Sequence, residues 1–212
     1  AKNVVLNFSA PVVAALASNT QANVHWFNSA DTWHAQGHFL FKVAEQVLDL
    51  RSLPIPGDHN AGNVCAALTA IDALGIDARE LAIRVQSFKP LPHRLQSLGT
   101  RDGIEYINDS ISTTPFASIA ALQCFSDRDV AILVGGFDRG IDWDAFIEYV
   151  AQHPPIAIIT MGQNGPRIFE QLRAINSKGA FFLSEATDMI EAILFARDAL
   201  HGEGGVVLLS PG

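Results

Sequence analysis

From Ile104 onward the chain repeats one pattern, a short uninterrupted apolar run followed by a segment with helical spacing. The apolar runs fall at residues 104–108, 130–134, 156–160, 180–183 and 206–209. Between them the spacing predicts helices over 115–124, 143–150, 166–174 and 188–200, the last capped by Thr187. Strands whose side chains do not alternate between apolar and polar are covered on both faces. Strands that also alternate with helices must be joined by crossovers. The stretch 95–100 returns through Asp102-Gly103, a hairpin turn, and so belongs antiparallel at one edge. The expectation is a mostly parallel, Rossmann-like α/β sheet of about six strands with helices on both faces.

The first quarter of the chain is less regular. Residues 4–6 and 23–27 read as short strands, and Ser9 as the N-cap of a helix over 11–17 with Pro11 in its first turn. Residues 28–37 read as a loop, and 38–41 with 44–50 as a hairpin. The stretch RSLPIPG at 51–57 carries two prolines and a glycine and reads as a linker. Residues 1–55 are therefore expected to form a small partial α/β segment, and 56–212 the main domain. After the linker, Ala61, Val64, Cys65, Leu68 and Ile71 give a helix from Asp58 to about Leu74 its apolar stripe. Asp77 is placed to cap a helix over 78–85, and a proline-braced connection, KPLPHR, follows at 89–94. Strand-like residues stand at both ends of the sequence, which reads as part of a longer chain.

Composition removes several classes of function. A net charge of −8 without a Lys/Arg cluster argues against nucleic acid or an anionic membrane as partner. No apolar run has membrane-spanning length. The two cysteines, Cys65 and Cys124, sit in apolar helical settings and read as core residues of a reducing, cytoplasmic compartment. The seven histidines are scattered, no metal-ligand spacing occurs, and no Ser-His-Asp or Cys-His arrangement is defensible. The catalytic set is read as none.

In a parallel sheet the carboxyl ends of the strands share one edge, where ligands bind. Three polar clusters fall there: Asp109-Ser110 through Thr114, the loop GGFDRG at 135–140, and Ser210-Pro211-Gly212. Pro115 then marks a helix N-terminus, whose free N–H groups favour anions. Arg139 is the cation of these loops, and its planar fork suits a carboxylate or phosphate. The alternative is an ordinary glycine-rich turn with Arg139 paired to Asp138 or Asp142. GGFDRG is neither a P-loop nor a dinucleotide fingerprint. Asn60 and Asn63 share one helix face at its N-terminus, where they act either as capping residues or as readers of a purine and phosphates. Arg94 reads either as a phosphate or ribose ligand or as a surface arginine.

Taken in order, GDHNAGNVCAAL, LPHR, INDS followed by threonines, GGFDRG and VVLLSPG resemble the Mur ligase family, in the branch that adds glutamate to UDP-N-acetylmuramoyl-L-alanine in peptidoglycan synthesis. The resemblance implies that 1–55 is the tail of a central ATPase domain. It also implies that 56–212 is a C-terminal domain binding nucleotide and glutamate. ATP would phosphorylate the alanyl carboxylate, and the glutamate amine would attack the acyl phosphate. Mg²⁺ and its ligands are expected outside this stretch, which alone is expected to be inactive; a monomer is expected. Carried over, Asn60, Asn63, Arg94 and Asp109 are nucleotide residues, and Thr113, Arg139 and Ser210 hold glutamate. Members that add D-glutamate tend to read DSKATN where this chain reads DSISTT, so Ile111 stands in place of a lysine. A branch adding L-glutamate has a similar loop, which leaves both enantiomers open. A folylpolyglutamate-synthase-like amide ligase and a non-catalytic nucleotide-binding module are the alternatives.

Overall fold

The computed structural model describes residues 2–201 and 204–212. Two compact units divide the chain, 1–89 and 90–212. The boundary therefore lies in the proline-braced connection, not at RSLPIPG, and residues 56–89 pack with the first unit.

The first unit is a five-stranded sheet in the order β1-β2-β3-β4-β5. Its strands are β1 (Asn3–Asn7), β2 (Asn23–Phe27), β3 (Trp33–Gln36), β4 (Phe39–Lys42) and β5 (Glu45–Asp49). β1 and β2 are parallel, and β3, β4 and β5 run as an antiparallel meander. β3 lies where a loop was expected. Its sequence, WHAQ, lacks an apolar run, and it is a strand because all four residues pair with β4. Helix α1 (Pro11–Ala15) has no side-chain cap, and the Ser9 hydroxyl instead donates to the Asn28 carbonyl, 3.1 Å away.

The linker reading failed for a packing reason. Helix α2 (Asp58–Ala73) turns Val64, Cys65 and Leu68 onto Trp33, Leu40 and Leu48 of the sheet, with Ala78 and Ala82 of α3 (Ala78–Ala82) beside them. Burial also pushes the Cys65 thiol up to about 12, as an inert core residue requires. Asp72, at the end of α2, fastens this core. It accepts from the indole of Trp33 at 2.7 Å and from the Ala78 N–H at 3.0 Å, and pairs with Lys42 at 2.9 Å.

Burial raises the Asp72 carboxyl, but the hydrogen bonds from Lys42, Ala78 and Trp33 outweigh it and hold the pKa below the usual range. A depressed carboxylate pKa adds stability above the unfolded-state value, and that stability is lost as pH falls through the folded value. Acid below the usual carboxylate range should therefore weaken this unit at Asp72, seen as faster exchange of the Trp33 indole N–H. Asp72→Ala should remove this acid sensitivity and cost about 2 kcal/mol, because the Trp33 and Ala78 donors lose their acceptor.

The second unit is a six-stranded sheet in the order β10-β9-β8-β11-β7-β6. Its parallel strands are β7 (Ile104–Asn108), β8 (Val130–Gly135), β9 (Ala157–Met161), β10 (Phe182–Ala186) and β11 (Gly205–Leu209). β6 (Gln96–Arg101) is antiparallel at the edge beside β7. Period-two geometry sends Ile132 and Val134 to one face and Ala131 and Leu133 to the other, and all four are buried. Helices α4 (Pro115–Gln123), α5 (Asp144–Gln152) and α6 (Gly165–Ile175) cover the first face, and α7 (Met189–Ala199) covers the second. On the α7 side, Ala131, Ala157 and Ala186 meet Ala192 and Ala196.

Asp188, rather than Thr187, caps α7. Its carboxylate accepts from the Glu191 N–H at 2.9 Å, and Glu191 accepts from the backbone and hydroxyl of Thr187 in return. Among the described residues no helix is long and apolar enough to cross a membrane.

Candidate functional site at the carboxyl edge of the second sheet

β11 lies between β7 and β8, so the loop after it is flanked by the INDS loop on one side and GGFDRG on the other. Backbone bonds fasten the three together. Asp109 N–H donates to the Leu209 carbonyl at 2.8 Å, Ser210 N–H to Leu133 at 3.1 Å, and Gly135 N–H to Pro211 at 2.9 Å. The convergence expected from topology is therefore present.

Asp109 is buried at the centre. One carboxylate oxygen accepts from the Leu95 N–H at 3.0 Å. The other accepts from Ser112 through a short bond and from Ser210 at 3.0 Å. The Ser210 hydroxyl also lies 2.9 Å from that of Ser112 and 3.3 Å from that of Ser118, and Ser118 donates to the Ser210 carbonyl at 2.9 Å. A buried carboxylate without a cation is tolerable only when donors surround it, and here three do. Asp109 and Ser210, expected as nucleotide and glutamate residues respectively, here engage their side-chain oxygens with protein partners, and Ser210 is fully buried. They join β7, β11, α4 and the LPHR turn into one frame. Ser112 and Ser118, which complete it, were not among the expected site residues. Their signal was hydroxyls at helix-start spacing among apolar neighbours, which alone does not distinguish a cap from a network.

The LPHR turn holds Arg94 between two non-glycine residues in the left-handed region, His93 at φ 66° and Leu95 at φ 42°. Each costs roughly 1 kcal/mol. The conformation persists because four bonds impose it. His93 N–H donates to Gln96, the His93 ring meets Asn108 at 3.0 Å, Ile111 N–H donates to the His93 carbonyl, and Leu95 N–H reaches Asp109. The result is an exposed Arg94 on the same frame as Asp109.

Thr113 is exposed, and Thr114 caps α4 by accepting from the Ala117 N–H at 3.4 Å. Arg139 is also exposed. Among the described residues, Arg94, Thr113 and Arg139 have no side-chain hydrogen bond or ion pair. Arg139 is not paired to Asp138 or Asp142, the ordinary-turn alternative. Asp138 accepts instead from Arg167 of α6, at 3.2 Å, and Asp142 accepts from the Asp144 N–H at 2.7 Å. Gly135 allows this loop to pass over β9: its φ is +99°, and a Cβ there would stand 2.3 Å from the Met161 carbonyl oxygen. Ile111 and Phe137 stand exposed on these loops and Phe116 in the first turn of α4, together an apolar rim. The edge therefore presents two free guanidinium groups, a free hydroxyl, a helix N-terminus and apolar side chains, a set suited to an anionic ligand with several carboxylate or phosphate groups.

Asn60 and Asn63 belong to the first unit, in the first turns of α2. Asn60 is buried, donating to the Pro56 carbonyl at 2.7 Å and lying 3.4 Å from the Asn63 amide, which is exposed. Of the pair, Asn63 is accessible to a ligand, while Asn60 locks the helix start. Among the described residues no group of three His, Cys, Asp or Glu is arranged to hold a metal ion.

No family model matches the sequence. Curated relatives do. The UDP-N-acetylmuramoyl-L-alanine–L-glutamate ligase of Xanthomonas oryzae pv. oryzae is 51% identical over 209 residues, which is 99% of this chain and 44% of that protein. The ligase of the same name from Xylella fastidiosa is 49% identical over 209 residues, covering 98% and 44%. That of Salinispora tropica is 35% identical over 176 residues, covering 81% and 38%. The chain thus spans less than half the length of the relatives it matches. Among solved structures, a UDP-N-acetylmuramoylalanyl-D-glutamyl-2,6-diaminopimelate–D-alanyl-D-alanyl ligase from Acinetobacter baumannii superimposes with a TM-score of 0.71 at 17% identity, over 99% of this chain and 48% of that one. Mycobacterium tuberculosis folylpolyglutamate synthase complexed with ADP gives 0.68 at 17% identity, over 95% and 49%. These two likenesses concern the fold.

Proposed function

The chain belongs to the Mur ligase family, and from that premise we propose that the protein containing it joins L-glutamate to UDP-N-acetylmuramoyl-L-alanine, driven by ATP, in peptidoglycan synthesis. The observation that carries this reading is the 51% identity across 99% of the chain to a ligase of that name. The carboxyl edge of the second sheet supplies the chemistry. Arg139, unpaired and exposed, takes a glutamate carboxylate in a two-pronged contact, and the Thr113 hydroxyl donates to the same substrate. Ser210, being buried, acts by holding the Asp109 frame on which Thr113 stands. Ile111 removes the positive charge that D-glutamate-adding members tend to carry at this position. The two carboxylates of glutamate are then read by a different charge pattern, which favours the L-enantiomer.

The nucleotide contacts divide in the same manner. In the first unit Asn63 is accessible while Asn60 already has a protein partner; in the second, taken by itself, Arg94 is accessible and fits phosphate or ribose while Asp109 has protein partners and serves as its support. ATP supplies the phosphoryl group that activates the alanyl carboxylate. Around that step this chain's residues bind and align the incoming amine, a contribution of proximity. Mg²⁺ and its ligands are assigned to the rest of the protein on the family resemblance alone.

The test is phosphate release from ATP by the full-length protein with UDP-N-acetylmuramoyl-L-alanine and either enantiomer of glutamate. Turnover with L-glutamate and not D-glutamate is expected. Turnover confined to D-glutamate would make Ile111 irrelevant to selection. Turnover only with a folate acceptor would replace the muramyl reading with the folylpolyglutamate one.

A further inference from the structure

We propose that Arg167 is a positioning residue that keeps Arg139 free for its ligand by holding Asp138, an inference that rests on the reading of Arg139 as a carboxylate-binding group. Arg167 is the third residue of α6, where a cation meets the positive end of the helix dipole and α6 has no acidic residue in its first turn. A cation in that position needs an external partner. Its guanidinium finds three: the Asn164 side-chain oxygen at 2.9 Å, the Ile141 carbonyl at 2.9 Å and Asp138 at 3.2 Å. The same Asp138 oxygen accepts from the Gly140 N–H at 2.8 Å, and Asp138 N–H donates to Gln163 at 3.3 Å. Arg167 thus clasps the GGFDRG loop on both sides of Arg139, at 138 and at 141.

The consequence lies in charge. Asp138 adjoins Arg139, and a free carboxylate there would compete with any carboxylate ligand. Asp142, the other nearby acid of the loop, is engaged by the Asp144 N–H. The Arg167–Asp138 pair is 44% and 34% exposed, so it adds little to stability. What it decides is which arginine Asp138 serves.

The experiment uses the full-length protein and the glutamate KM from phosphate release. Arg167→Ala is expected to raise that KM about fivefold, the size of an exposed competing ion pair, with kcat changed less than about twofold. Adding Asp138→Asn should return KM toward the parent value although Arg167 is still missing, which a merely structural role would not allow. Should Arg167→Ala fail to fold, Arg167→Gln, neutral but still a donor, takes its place. If Arg139→Ala raises KM but the double variant does no better than Arg167→Ala, the positioning role is overturned and the glutamate reading stands. If Arg139→Ala leaves the glutamate KM unchanged, both fall.

Discussion

Asp109→Ala should loosen the carboxyl edge of the second sheet by about 3 kcal/mol, making it the most destabilising single change at the site. The Leu95 N–H and the hydroxyls of Ser112 and Ser210 would all lose their acceptor inside the protein. Each buried donor left unpaired costs about 1–3 kcal/mol, and the three serine hydroxyls recover part of that by bonding one another. Leu95 would also lose the bond that holds its left-handed backbone. The measurement is amide exchange in the full-length protein. Protection at Leu95 and the adjoining strand ends should fall roughly a hundredfold, since each decade corresponds to about 1.4 kcal/mol. Asp109→Asn keeps one acceptor for Leu95 and should lose less. Unchanged exchange together with a raised KM for ATP would return Asp109 to a purely nucleotide-binding role.

The largest effect on activity is expected from Arg139→Ala. A charge-assisted contact to a carboxylate is worth about 1.5–3 kcal/mol, so the KM for glutamate should rise about fiftyfold, with kcat changed less than about threefold. The asymmetry follows from the proposed role: a side chain that holds the amino acid equally before and during amide formation contributes uniform binding, and that is what its removal would take away. Folding should be untouched, because among the described residues the side chain has no hydrogen-bond or ion-pair partner. Arg139→Lys should recover part of the loss, a point charge in place of a planar fork. A raised KM for ATP with the glutamate KM unmoved would make Arg139 a phosphate ligand instead.

Much of the second unit was legible in the sequence because its information is local. Runs such as VAILVG and AIITM are apolar but for Thr160 and show no polar alternation, and only a strand covered on both faces accommodates that. Pro115 and the Asp102-Gly103 turn marked the start of α4 and the β6–β7 reversal. Where the reading failed, the deciding partner was distant. β3 is a strand through pairing with β4, and α2 belongs to the first unit because its stripe covers Trp33 and Leu40. The capping of α7 by Asp188 rather than Thr187 turned on a reciprocal bond with Glu191 that either residue could have made.

By itself, then, the sequence determined the parallel sheet, its antiparallel edge, and the clustering of INDS, GGFDRG and SPG at one edge, since periodicity and strand direction leave few other arrangements. Only the tertiary structure decided which of those residues are buried in protein hydrogen bonds and which stand exposed. Asp109 and Ser210 are polar residues in loops, as Thr113 and Arg139 are, and nothing in their spacing separates the two pairs. The separation arises because Ser112, Ser210 and the Leu95 N–H converge on Asp109 across up to about a hundred residues of chain, Ser118 holds Ser210 in turn, and Arg167 claims Asp138. A hydrogen-bond partner is a fact of three-dimensional proximity, and a buried polar group takes one wherever the fold supplies it.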